Sequence, residues 1–215
     1  MQPSNSSSNP LRGMVLMAGC MLVLPVMDAI AKYMATVEGM SPAQVTFYRF
    51  LFQLASTLPF LLALRGISAL AAKRPWMNLL RGALHGAASL LFFMAVKYMP
   101  LADVFAIYFV EPFILTAMSA VFLKEKVGWR RAIGDADSPM TMQTLAGIGG
   151  TLFMTAALAI GTSAGDANFT VSLPASWLGL LLLTLLGTIS GFIHLLVVRA
   201  FRMAPLSVLA PFQYF

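Results

Sequence analysis

Six apolar runs separated by short polar breaks dominate the chain: residues 13–34, 42–64, 77–98, 101–123, 140–161 and 177–198. Each has the roughly 20 residues that a helix needs to cross the hydrocarbon of a bilayer. A seventh run starts in the last ten residues, LSVLAPFQYF, and covers about half a membrane thickness at about 1.5 Å per residue. Residues 1–12, MQPSNSSSNPLR, are polar and read as a disordered cytoplasmic tail. The first run is too long for a signal-peptide core and no small-x-small cleavage site follows it, so it is expected to be retained as a helix. The pattern predicts an all-α polytopic membrane helix bundle with six full transmembrane helices plus a partial seventh.

The third and sixth runs are related. A shift of 105 places Gly82, Gly86, Leu90, Leu91, Ala95, Pro100 and Leu101 on Gly187, Gly191, Leu195, Leu196, Ala200, Pro205 and Leu206. That is seven identities over positions 82–101, where about two are expected at this composition. Ser41-Pro42 and Ser138-Pro139 repeat at a shift of 97. The chain therefore reads as one helix, then a three-helix unit, then that unit again. In each copy a Gly-x-x-x-Gly pair puts two hydrogen-only side chains on one helix face, where another helix can approach closely.

Composition agrees with a bilayer. Of 215 residues 59% are hydrophobic and 10% charged, and mean hydropathy is +0.82; a soluble domain carries about a quarter charged residues. The net charge of +6 follows loops rather than a patch, which argues for membrane topology and against a nucleic-acid partner. With the N-terminus cytoplasmic, Arg12, Arg65, Lys73, Arg74, Arg81, Lys124, Lys126, Arg130, Arg131, Arg199 and Arg202 fall inside, 11 of the 14 basic residues. The Ser-Pro starts then lie on opposite sides, so the duplication is of inverted topology, a pattern of transporters. A single cysteine, Cys20, and two histidines leave no disulfide and no metal-ligand spacing, and no cofactor motif is present. No nucleophile–base pair shares a depth, so the chain reads as a non-enzyme.

Ionisable residues inside membrane helices are costly and are functional candidates by default. Glu111 lies near the midplane of the fourth run, and Pro112 after it frees the carbonyl of Tyr108. Asp28 and Arg49 lie at similar depth on consecutive helices, with Lys32 one turn from Asp28 as a competing partner. The alternative for that pair is a purely structural ion pair. His85 sits between the glycines of the third run and His194 near the cytoplasmic end of the sixth. Either histidine can titrate near neutral pH or simply hydrogen-bond between helices. Phe47, Tyr48, Phe50, Tyr108, Gln213 and Tyr214 either line a cavity or form the interfacial aromatic belt.

The stretches PVMDAIAKYM, SPAQVTFYRF, AVKYMPLADVFAIYFVEPFILTAMSAVFLKEKVGWRR and RMAPLSVLAPFQY resemble the EamA-type drug/metabolite transporters. The resemblance implies a secondary carrier moving a small polar metabolite or drug-like solute across the bacterial inner membrane by alternating access. It also implies two inverted five-helix repeats. Here residues 13–131 supply four helices of the first repeat and 138–215 part of the second. Compared with that pattern the last helix of the first repeat, the first helix of the second and the C-terminal end are missing. A truncated, transport-incompetent remnant or an assembly partner is therefore the alternative. The partners implied are a small-molecule substrate and the lipid bilayer; homo-oligomerisation is left open. The junction at 132–137 is expected to fold the fourth helix and its successor into a hairpin, with Gly147, Gly149 and Gly150 at the contact.

Overall fold

The computed structural model describes residues 10–110, 114, 138–174 and 176–203. Among them are six α-helices and no strand: α1 (Pro10–Thr36), α2 (Pro42–Arg65), α3 (Pro75–Tyr98), α4 (Leu101–Tyr108), α5 (Pro139–Ser163) and α6 (Trp177–Met203). Short 3₁₀ turns lie at Ile67–Leu70 and Ala167–Phe169. All but α4 are long and apolar enough to cross a membrane, so five spans stand among the described residues where six full ones and a partial seventh are expected. The rest of the fourth run, the junction at 132–137 and the start of the seventh run lie outside the described residues.

Local chemistry sets the ends. Ser41 and Ser138 are N-caps whose hydroxyls accept from Gln44 N at 3.2 Å and Thr141 N at 3.1 Å. In both cases a proline follows in the first turn, where its missing N–H goes unmissed. Gly66, at φ 72°, ends α2 in the left-handed region that glycine enters without steric cost. At the end of α3, Lys32 Nζ donates to Met99 O at 2.9 Å and to Val96 O at 3.5 Å. Lys32 thus satisfies orphan carbonyls at the negative end of a helix instead of competing for Asp28.

The helices pack in two close parallel pairs. In one, α3 meets α5: a Cβ on Gly82 would overlap the backbone of Ala146, and Gly86 faces Gly150 and Phe153. In the other, α6 meets α2: Gly187 faces Arg49 O, Phe52 and Gln53, and Gly191 faces Gln53 and Thr57. These contacts obey the sequence shifts. Moving Gly82 forward by 105 gives Gly187, and moving Ala146 back by 97 gives Arg49; Gly86 and Gly150 become Gly191 and Gln53 in the same way.

Between the pairs, α2 and α5 cross antiparallel, with Phe50 on Gly150 and Gln53 beside Gly147. The shift converts one of these contacts into the other, so a pseudo-two-fold axis runs through the crossing. The pairing also corrects the expected hairpin at the glycines. Gly147 and Gly150 are covered by α2 and Gly149 by the backbone of Leu79 on α3. The described turns of α4 pack instead on α3. The physical reason is that the three glycines sit where the repeat-related pair and the crossing need close backbones, leaving no small surface for α4.

Two buried apolar clusters flank the crossing. One joins Met27, Met34 and Val45 to Phe93, Leu183 and Ile193; the other joins Phe50 and Leu90 to Met154 and Leu158. Large apolar side chains such as Leu22, Leu84, Leu91 and Ile160 point outward, as a lipid-facing bundle requires. At one end, the segment between α5 and α6 lies across the other helix ends. Its Ser172 N donates to Gln44 Oε1 at 3.0 Å, and Gln44 Nε2 donates back to Ser172 O. Ser41 Oγ donates to Thr170 O at 2.7 Å, Ser176 Oγ to Glu38 Oε1 at 2.6 Å, and Tyr98 Oη to Asn168 Oδ1 at 2.6 Å.

Candidate functional site

A buried polar cluster stands where α2, α3 and α6 meet. Arg49 projects from α2 about 10 Å along its axis at about 1.5 Å per residue and is only 7% exposed. Its Nε donates to Ser190 Oγ at 3.0 Å and its Nη1 to Ser89 Oγ at 2.7 Å. Nη2 lies 3.4 Å from His85 Nε2. Arginine can only donate, so this last contact makes Nε2 the acceptor and puts the imidazole hydrogen on Nδ1. Ser190 Oγ in turn donates to Gln53 Oε1 at 3.2 Å. The guanidinium also lies near the rings of Phe50 and Phe93, at 5.6 and 5.8 Å from their centroids.

Each helix contributes two polar groups one turn apart: Arg49 and Gln53 from α2, His85 and Ser89 from α3, Ser190 and His194 from α6. The 105-residue shift maps His85 onto Ser190 and Ser89 onto His194. The repeat-related helices therefore present the same two residue types in exchanged order. The histidine rings meet edge-on with centroids 4.8 Å apart, and His194 Nδ1 lies 2.8 Å from Ser190 O. The carbonyl must accept there, so His194 carries a hydrogen on Nδ1.

Arg49, His85 and His194, remote in sequence, are thus brought together. Asp28 of α1 is half-buried and acts on Arg49 electrostatically, but no ion pair joins the two within 4.0 Å. Tyr108 of α4 is half-exposed, packs edge-on against Phe92 at 6.0 Å and also faces the charge of Arg49. Glu111 and Gln213 lie outside the described residues. Of the aromatic candidates, Phe50 is fully buried against Gly150 and His85. Ser89, Ser190 and Gln53 were not singled out by the sequence. The signal that could have found the serines is the exchanged His/Ser order within the repeat. Among the described residues no group of three or more His, Cys, Asp or Glu could hold a metal ion.

Residues 11–136, more than half of the chain, match the EamA-like transporter family. The chain belongs to that family. No curated protein and no solved structure matches it. The EamA match and the five apolar helices make it a multi-pass membrane protein of the drug/metabolite transporter type. The EamA-matched segment contains α2 to α4 and all but the first residue of α1, and so includes Arg49, Gln53, His85 and Ser89 of the cluster and Asp28 and Tyr108 at its border. Ser190 and His194 come from beyond it, from the helix that repeats α3.

Proposed function

We propose that the chain is a secondary carrier that moves a small polar metabolite across a bacterial inner membrane by alternating access, with its N-terminus cytoplasmic. The observation that carries this reading is the cluster around Arg49: polar groups from three apolar spans meet beside the crossing of repeat-related helices. A membrane protein that only needed to hold itself together would place apolar or small residues there. Asp28 and Tyr108 border the cluster, and Glu111 of the same helix run as Tyr108 is kept as a solute- or proton-handling candidate, as is Gln213. The mechanism requires binding and release without covalent chemistry.

The test is flux of a panel of small labelled solutes into proteoliposomes, comparing the parent with Arg49→Gln and Glu111→Gln. Saturable flux lost in Arg49→Gln supports the reading. Orientation is checked by cysteine labelling at Lys73 and Asn168 in intact cells, with Asn168 expected to react from outside and Lys73 not. A second reading, a non-transporting assembly partner, draws on one observation: the groove of about 440 Å³ between α1 and α6 is lined by none of the Arg49 cluster. Absence of flux for every solute, with the protein folded, would favour that reading.

A further inference from the structure

We propose that the solute handled at this cluster is an organic oxyanion, a carboxylate or a phosphate ester, held by Arg49 together with Ser89 and His85. The inference rests on the carrier reading and names the substrate class for the same site.

The argument is an inventory of donors and acceptors. Among the described residues Arg49 uses three of its five N–H groups, on Ser190, Ser89 and His85. The two that remain sit on Nη1 and Nη2, one on each arm of the fork. Ser89 accepts from Arg49, and its own hydroxyl hydrogen has no acceptor among the described residues. His85 accepts at Nε2, which leaves its Nδ1–H as a further unused donor. Ser190 is different, because its hydrogen is already given to Gln53. Among the described residues, Arg49, Ser89 and His85 therefore hold four unused donors, two of them on Arg49 itself.

Charge points the same way. Every hydrogen-bond acceptor of Arg49 is a neutral group, a hydroxyl or an imidazole. Among the described residues no carboxylate lies within ion-pair distance of it, and Asp28 acts only from farther away. A desolvated guanidinium is stabilised by a contacting anion, none is present among the described residues, and an entering oxyanion supplies one. The planar fork of arginine matches the paired oxygens of a carboxylate or phosphate, which accept two parallel N–H bonds. A cationic or purely donor solute would find a single unused acceptor on these three side chains, the second lone pair of Ser89 Oγ, and would meet a like charge. His85 and Asp28 are only half-buried, so the cluster is not sealed on that side.

The experiment uses the full chain in lipid nanodiscs and follows its thermal unfolding with matched probes. Acetate, succinate and phenylacetate are compared with acetamide, succinamide and phenethylamine, and glycerol 1-phosphate and inorganic phosphate with glycerol. The expected result is a saturable rise of several degrees for at least one oxyanion and none for its amide or amine. Ser89→Ala, which keeps the charge, should weaken that probe roughly five- to ten-fold, and Arg49→Gln should abolish the response. Preference for the phosphate ester over the carboxylates, or the reverse, supports the proposal and identifies the head group. A neutral or cationic probe that binds, or is carried into proteoliposomes, while no oxyanion does would overturn the anion assignment and leave the carrier reading standing. An oxyanion response that persists unchanged in both variants places binding elsewhere and also overturns it. No response to any probe together with no flux removes both readings.

Discussion

The two parallel helix pairs share one backbone geometry and use it differently. Where α3 meets α5, Gly82 rests on Ala146 and Gly86 on Gly150 and the ring of Phe153, so the contact is made of small and apolar residues. At the equivalent contact of α6 on α2, Ala146 is replaced by Arg49 and Gly150 by Gln53. One pair is closed by packing and the other encloses a charge. The glycines fix how near the backbones come, and the residue opposite decides whether that nearness serves cohesion or chemistry.

The sharpest way to break the comparison is to remove the closeness on one side only. Gly82→Leu places a side chain into the backbone of Ala146, which no rotamer relieves, and Gly149→Leu does the same against Leu79. Each is expected to cost about 3 kcal/mol or more or to prevent folding, read as loss of a monodisperse, cooperatively melting protein. On the polar side, Arg49→Leu should leave Ser89 and His85 without their partner and cost about 1–3 kcal/mol, measured by equilibrium unfolding in mild detergent. Flux should fall to background in the same variant, whereas Gly86→Ala, which meets Phe153 at 3.1 Å, should lower stability but keep flux.

Within the polar side, Ser190→Ala should be more damaging than Ser89→Ala. Ser190 both accepts from Arg49 and donates to Gln53, and Ser89 makes one bond. Losses of about 1–2 and about 0.5–1.5 kcal/mol are expected. The two caps offer a smaller contrast. Ser41→Ala should cost more than Ser138→Ala, each about 1 kcal/mol, because the second bond of Ser41 ties it to Thr170 O in a distant segment, whereas that of Ser138 stays within its own first turn at Thr141 Oγ1. At the low end, Gly19→Ala meets nothing within 4 Å and should stay within about 0.5 kcal/mol of the parent.

Much of this was readable in the chain. The lengths of the apolar runs gave α1, α2, α3, α5 and α6 to within a few residues, because span length is fixed by bilayer thickness and breaks by Ser-Pro and Gly. The glycine pairs and their shift foretold close helix contacts. They did not foretell with whom: Gly149 was expected against the fourth helix and lies against α3. Neighbours in sequence and neighbours in a bundle are set by different constraints, and the repeat pairs helices that the chain separates. Arg49, His85 and His194 were visible because ionisable groups are rare in apolar runs. Ser89 and Ser190 were not, since a serine in a membrane helix is commonplace until the helix opposite is known. Lys32 follows the same rule. Its proximity to Asp28 is local, whereas the carbonyls it serves belong to α3.

The crossing of α2 and α5 has a mechanical meaning of its own. Phe50 on Gly150 and Gln53 beside Gly147 lie midway along a seam that runs from Ala43 and Leu158 at one end to Thr57 and Gln143 at the other. The segment around Asn168 to Ser176 is then a lace tied across one set of tips, through Tyr98, Ser41, Gln44 and Glu38. Its knots are polar bonds, each worth about 1 kcal/mol net; that of Tyr98 is exposed to solvent, whereas Ser41 and Gln44 are buried. The tie across that end and the apolar seam between α2 and α5 are thus separate sets of contacts, one polar and one not.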